Sequence, residues 1–214
     1  MNSLIIKTIR PIVRFFKYLN YPHITSTSRV EKGCHISNTL NLYMAEDTNI
    51  NSGAIIMNTR AKLIMKKWSG AAVGLLAVTG NHMQLVGKSL KQITDADKDK
   101  LDINHELDKD IVVEEEVWIG SNVTLLAGVT LGRGSIIGAS CVVRSGKVPP
   151  YAVLAGNPAK VVAFRFTPEE IIEHEKALYP EEERLSIELL EKNYKKYFLD
   201  HIKEIKAYTG LICK

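Results

Sequence analysis

The stretch Val117–Ser140, "VWIGSNVTLLAGVTLGRGSIIGAS", carries glycine and other small residues at intervals too even for chance and too frequent for an amphipathic helix. Written in sixes from Val113 to Val148, the chain reads VEEEVW, IGSNVT, LLAGVT, LGRGSI, IGASCV, VRSGKV. The first column is Val113, Ile119, Leu125, Leu131, Ile137 and Val143, aliphatic throughout. The fifth is Val117, Val123, Val129, Ser135, Cys141 and Lys147, small or modest in size until the last. Neither the helical period nor strand alternation produces two such columns at a period of six, so the pattern is that of a solenoid. Each six supplies one short strand and one turn, with the first-column residue pointing to the axis and the fifth filling the corner. Glycine and asparagine between them permit the turns. Successive coils then pair as parallel strands about 4.8 Å apart.

Working outward, the register recurs less regularly toward the amino terminus. Val30, Ile36 and Leu42 are spaced by six, and Ile50 and Ile56 resume the spacing after a two-residue slip within "MAEDTNIN". Ile64 follows eight residues later, and Val73 and Leu75 to Val78 continue the apolar character. Coils are therefore expected over residues 24 to 82 and again from 111 to about 163. The intervening "MQLVGKSLKQITDADKDKLDINHELDKD" is charged and free of the period, and a connection of this length is functional or disordered. Past Ala163, Thr167, Pro168 and Glu170 form a helix start with a capping box, Pro180 divides the amphipathic stretch beyond it, and the resulting helices are expected to cover the end of the solenoid. The organisation expected is an N-terminal helical, basic segment (1–23), a β-helix domain (24–163) with a loop at 83–110, and a C-terminal helical extension (164–214).

The 214 residues, 45% of them hydrophobic, suffice for one domain with a sizeable core plus an appendage. A net charge of +4 and the lack of a basic patch argue against a nucleic-acid partner. Cys34, Cys141 and Cys213 are odd in number and form no CxxC pair, which argues against a disulfide framework and a cysteine zinc site and fits a cytoplasmic setting. The opening "MNSLIIKTIRPIVRFFKYLNYP" is interrupted by Lys7, Arg10, Arg14 and Lys17 and lacks a cleavage site, so it is not read as an export signal. A helix would gather those cations on one face. The reading taken is a helix packed on its own domain, with contact to a membrane surface as the alternative.

"VWIGSNVTLLAGVTLGRGSIIGAS" followed by "VPPYAVLAGNPAKVV" closely resembles the hexapeptide-repeat acyltransferases, in particular the sugar O-acetyltransferase branch with the galactoside, maltose and streptogramin enzymes. The resemblance covers roughly residues 30 to 165. It implies a mainly β fold, a left-handed parallel β-helix of hexapeptide repeats with a protruding loop and a C-terminal α-helical tail; the handedness follows from the resemblance alone. It also implies acetyl transfer from acetyl-CoA to a hydroxyl, without a metal, in a homotrimer whose sites lie between subunits.

A hydroxyl attacking a thioester must lose its proton, so a base that titrates near neutrality is needed, and histidine fits. Of His23, His35, His82, His105, His174 and His201, the resemblance points to His82, in "AVTGNHMQ" at the end of a coil. His105, in "NHEL", is the rival, because galactoside acetyltransferases carry their catalytic histidine in "HHEL". His82 is preferred because Thr79 and Gly80 anchor it to the coil. For the donor, the resemblance implies that Ser121 and Ala139 line the pantetheine arm, Trp118 packs beside it, Arg144 and Ser145 border the adenine end, and Lys160 of "GNPAK" lies near the phosphates. The plain alternatives are coil packing for Trp118 and Ala139 and a solvated cation for Lys160. Asn58, in "IIMNTR", resembles an asparagine that contacts sugar hydroxyls. The tail resembles those of surface-polysaccharide acetyltransferases, which points to a sugar or polysaccharide precursor as acceptor. Three other readings are weighed: an antibiotic or amino-sugar acceptor; a metal hydrolase of the γ-carbonic anhydrase type, which needs three histidines on one zinc and lacks ligands here because only His174 and His201, both in the tail, follow the central loop; and a non-catalytic scaffold.

Overall fold

The computed structural model describes residues 20–210. The basic segment read at 1–23 falls mostly outside them, as does Cys213. The mainly β architecture expected from the sixes is the one observed. The first coil comprises β1 (Arg29–Val30), β2 (His35–Ile36) and β3 (Leu42–Met44), and the second β4 (Asn49–Ile50), β5 (Ile55–Met57) and β6 (Leu63–Met65). The third has β7 (Gly70–Ala71), β8 (Leu76–Val78) and, after the long loop, β9 (Ile111–Val113). The fourth has β10 (Trp118–Ile119), β11 (Thr124–Leu126) and β12 (Val129–Leu131), and the fifth β13 (Ile136–Ile137), β14 (Val142–Val143) and β15 (Gly146–Val148). β16 (Ala152–Ala155) opens a sixth, and β17 (Lys160–Phe164) turns back antiparallel onto it.

Every third strand stacks in parallel, which makes three faces. The first runs β1-β4-β7-β10-β13-β16-β17, the second β2-β5-β8-β11-β14, and the third β3-β6-β9-β12-β15. Strands of two or three residues cannot stand alone, so the backbone hydrogen bonds pass from coil to coil and stability accrues by stacking. All six first-column residues, from Val113 to Val143, are buried on the axis, with Val117, Val123, Val129, Ser135 and Cys141 beside them.

The pairing register identifies the inward residue of each face. On the first face Val30, Ile50, Ala71, Ile119, Ile137 and Leu154 stack; on the second, Ile36, Ile56, Ala77, Leu125 and Val143; on the third, Met44, Met65, Val113, Leu131 and Val148. From first face to second, and from third to first, the spacing is six in every coil. From second to third it is eight (Ile36 to Met44), nine (Ile56 to Met65), 36 (Ala77 to Val113), six (Leu125 to Leu131) and five (Val143 to Val148). All the irregularity of the solenoid is collected on the edge between the second and third faces.

That concentration corrects three expectations. The extra residues of the first coil lie between Ile36 and Met44, where Thr39–Asn41 form a 3₁₀ turn, and not within "MAEDTNIN". Leu63 and Met65 point inward while Ile64, between them, does not, and Val73 stands exposed at a corner. Lys147 leaves its column because the fifth coil is one residue short there: it lies between Gly146 and the inward Val148 and faces solvent.

The two regular edges share one device. The third residue after each inward aliphatic adopts positive φ: Gly33, Gly53, Gly74, Asn122 and Ser140 on one edge, Asp47, Trp68, Glu116, Gly134 and Tyr151 on the other. At Gly134 a side chain would collide with the Tyr151 ring, so the small residue is required there for space as well as for φ.

The short α1 (Asp95–Leu101) lies in the long loop, and the tail supplies α2 (Pro168–Leu178), α3 (Ile187–Tyr197) and α4 (Ile202–Thr209). The start of α2 is as expected, with Thr167 as its cap, Pro168 in its first turn and Glu170 closing the capping box. Only part of the tail covers the end of the solenoid. α3 and the residue after it bring Tyr194 and Phe198 against Phe164 of β17, whereas α2 and the segment after it descend the edge between the third and first faces. There Glu175, 0% exposed, accepts from the Tyr151 hydroxyl (3.1 Å), Arg133 Nη1 (3.2 Å) and the Leu185 amide (2.5 Å). Burial, reinforced by the Glu175 carboxylate, pushes the Tyr151 phenol well up from its ordinary value. Farther down, Glu116 accepts from Arg165 (2.8 Å) and meets His174 (3.0 Å), and Lys67 reaches Glu183 (3.3 Å).

Candidate functional site

The open edge between the second and third faces carries a cleft of about 520 Å³ at the third coil. One wall is coil: Met57, Thr59 and Arg60 of the second coil, and Val78 through His82 of the third. The other is loop: Ile93, Thr94, Asp95, Lys98 and Asp108. His82 is exposed at the rim where β8 ends. Thr79 fixes that exit, because its hydroxyl lies within bonding reach of the Met57 and Ala61 carbonyls (3.2 and 3.3 Å) of the coil beneath.

The loop is clasped to the coils at its base. Its two ends run antiparallel as a stem, with Asn81 N–H donating to the Leu107 carbonyl and Lys109 N–H to the Thr79 carbonyl, both at 2.9 Å, around a Gly80–Asp108 bridge. The Asp108 carboxylate packs so closely on Gly80 that a side chain there would collide with it. Lys98 Nζ bonds both Asp108 (2.8 Å) and the Asn81 carbonyl (3.0 Å), which ties α1 to the residue preceding His82. Asp108 is only 7% exposed, and its second oxygen has no partner among the described residues. From the coil side Arg60 bonds Asp99 and pairs with Asp95 (3.4 Å), and the bond to Asp99 raises its pKa further. Inside the loop, Lys88 at 2.8 Å and the Thr94 backbone amide hold the Asp97 carboxyl down to about 2.

The residues singled out in the sequence divide among separate places. His105 lies outside this cleft: it occupies a tight turn at φ 52°, with its amide bonded to the Asp102 carbonyl, and faces solvent. Asn58 is also absent from the lining. It is 0% exposed, its Oδ1 accepts from the Asn38 amide (3.0 Å) and its Nδ2 donates to the Asn38 carbonyl (2.8 Å). Both ends of the amide are thus engaged in holding two coils together, and burial closes the side chain off from a sugar hydroxyl. Its neighbours Thr59 and Arg60 face the cleft instead. Arg60, Lys98 and Asp108 escaped the reading of the sequence; "DADKDK" was visible as a charge run but not as a clasp.

Ser121 and Ala139 meet on the edge between the first and second faces, where the Ser140 amide donates to the Ser121 carbonyl at 2.8 Å. Trp118 lies outward on the first face, half exposed. Arg144 and Ser145 belong to the irregular edge, two coils along from His82, and share a second cleft of about 480 Å³ with Lys160. Within one chain, Ser121 and Ala139 are therefore on a different edge from His82. Among the described residues no three His, Cys, Asp or Glu side chains are grouped to hold a metal ion, and no helix is long and apolar enough to cross a membrane.

Residues 110–145 match the family model described as bacterial transferase hexapeptide (six repeats). A probable macrolide acetyltransferase of Lysinibacillus sphaericus is 51% identical over 63 residues, which is 29% of this chain and 34% of that protein. A putative lipopolysaccharide biosynthesis O-acetyl transferase of Escherichia coli K12 is 46% identical over 52 residues, 24% of this chain and 26% of that one. The chain thus matches about a third or less of the length of these relatives. The crystal structure of a hexapeptide-repeat acetyltransferase from Vibrio cholerae complexed with acetyl-CoA superposes with a TM-score of 0.56 at 22% identity, covering 74% of this chain and 77% of that one, a likeness of fold.

Proposed function

From a left-handed parallel β-helix built of bacterial transferase hexapeptide repeats, we propose that this protein moves an acetyl group from acetyl-CoA to a hydroxyl of a sugar or surface-polysaccharide precursor, with His82 as general base. The observation that carries the reading is the position of His82: it stands at the rim of a cleft that has one wall of rigid coil and one of clasped loop. In the proposed reaction the imidazole takes the acceptor's proton as its oxygen attacks the thioester carbonyl. When the tetrahedral intermediate collapses, the carbon–sulfur bond breaks and the imidazolium returns the proton to the departing thiolate.

The donor is assigned to Trp118, Ser121 and Ala139 on one side and to Arg144, Ser145 and Lys160 on the other. Two edges of one triangular prism cannot line a single groove. The edge with Ser121 and Ala139 from one copy can meet the irregular edge of the next, and three copies close such a ring, so a homotrimer is part of the proposal. The acceptor is drawn from the hydrogen-bonding character of the cleft and from the lipopolysaccharide relative. The macrolide relative favours a second reading, acetylation of an antibiotic or an amino sugar. Release of free CoA thiol from acetyl-CoA, screened over sugars, amino sugars and antibiotics, separates the two; no release with any acceptor, by a protein that binds no CoA, rejects both.

A further inference from the structure

The second cleft is lined in large part by the C-terminal extension. Arg144, Lys147 and Lys160 stand around it, and none of the three makes an ion pair among the described residues. Facing them from α3 and α4 and the turn between are the rings of Tyr197, His201 and Tyr208. The acidic group in the lining, Glu204, lies 3.3 Å from His201 Nδ1, away from the three cations in its pairing. The floor is apolar, formed by Leu154, Ala159 and Val161. Tyr208 reaches over Gly156 so closely that a side chain at that glycine would collide with its hydroxyl. The tyrosine is thereby laid across the "AGNP" turn just before Lys160.

Three cations without ion pairs, lining one cleft with three rings, make a place for one ligand chemistry, a planar base joined to phosphates. The cleft's position agrees with this. Val143–Val148 is the irregular edge of the fifth coil, two coils beyond that of His82, or about 10 Å along the axis at the usual strand spacing.

We propose that the C-terminal helices complete the donor site: Tyr208 and Tyr197 hold the adenine ring of CoA, bordered by Arg144, while Lys147 joins Lys160 at its phosphates. This makes the extension a selector for nucleotide-bearing thioesters over bare pantetheine thioesters. The proposal rests on the acetyl-CoA reading for the identity of the ligand, and the test separates the two.

CoA, pantetheine and 3′,5′-ADP are titrated calorimetrically into the full-length wild type, the Tyr197→Ala/Tyr208→Ala double variant and Tyr208→Phe. Loss of base stacking should weaken CoA and 3′,5′-ADP by about 10-fold or more in the double variant. Pantetheine binding should be the same in every protein, and Tyr208→Phe, which keeps the ring, should stay near wild type. Tyr208 is 53% exposed, so truncating it should leave the fold intact, and an unchanged melting midpoint of the unliganded variant checks that. If the double variant denatures, Tyr208→Ala alone provides the same contrast between CoA and pantetheine. CoA affinity unchanged in these variants overturns the proposal and leaves the acetyltransferase reading standing. A wild type that binds 3′,5′-ADP through the tyrosines but binds neither CoA nor pantetheine upholds the nucleotide site and overturns the acetyl-CoA reading, and one that binds none of the three ligands removes both.

Discussion

At the scale of single residues, two histidines with similar credentials in the sequence have different surroundings. His82 leaves a coil held by Thr79 and borders the cleft, whereas His105 sits in a solvent-facing turn outside it. His82→Ala should therefore lower kcat by about 10²- to 10⁴-fold with little change in CoA affinity, and His105→Ala should leave kcat within about threefold of wild type. Steady-state kinetics with calorimetry decides; full activity in the first variant and loss in the second would move the base to the loop. The place of His82 was legible because the apolar coil stops beside it. The fate of Asn58 was not, since what occupies its amide is the backbone of Asn38, 20 residues away and one coil below, and nothing local in "IIMNTR" signals that partner.

At the scale of elements, the period is readable wherever the coils have no extra residues, which is why Val113 to Val143 align without exception. In the first half, eight- and nine-residue passages over the irregular edge shift the count, and Ile64 takes the place that belongs to Leu63 and Met65. The correction is measurable: Leu63→Ala should cost about 2–5 kcal/mol of unfolding free energy and Ile64→Ala less than about 1.5, by denaturant titration. Equal costs would mean that the register is wrong. In the loop, Lys98 is the fastener. Lys98→Met would leave the Asp108 carboxylate buried without its cation, and a broken buried pair costs about 3 kcal/mol or more. Hydrogen exchange at the Asn81 and Lys109 amides should accelerate accordingly while the Ile119 and Leu125 amides stay protected. Replacing residues 86–108 by a short Gly-Ser linker removes that wall of the cleft and should raise KM for the acceptor or abolish transfer, with CoA binding nearly intact. Unchanged acceptor kinetics would reduce the loop to decoration.

At the scale of the whole molecule, the three edges have different uses. The tail runs down one and reaches the last coils of a second, which also carries the loop and its cleft, and the edge with Ser121 and Ala139 is the one a neighbour would meet in the proposed ring. The route of the tail could not be read from its amphipathic spacing, because what draws α2 down the edge is a set of pairs such as Arg133–Glu175 and Glu116–His174, 42 and 58 positions apart in the chain. If the donor groove is shared, sedimentation should give a trimer, and two inactive variants on different edges should rescue each other. Mixed and refolded together, His82→Ala and Ala139→Trp should recover about a quarter of the wild-type rate, since random assembly of a closed ring leaves that share of grooves intact on both sides. An active monomer, or no recovery on mixing, would place the whole site within one chain.

Val113 takes its place over Met65 as though the 35 residues between Ala77 and Val113 were not there. Chain length added at that edge lengthens no strand and turns no inward side chain outward in the coils beyond it. Among the described residues the solenoid thus has one edge at which a foreign segment can be grafted while the scaffold on either side is inherited unaltered.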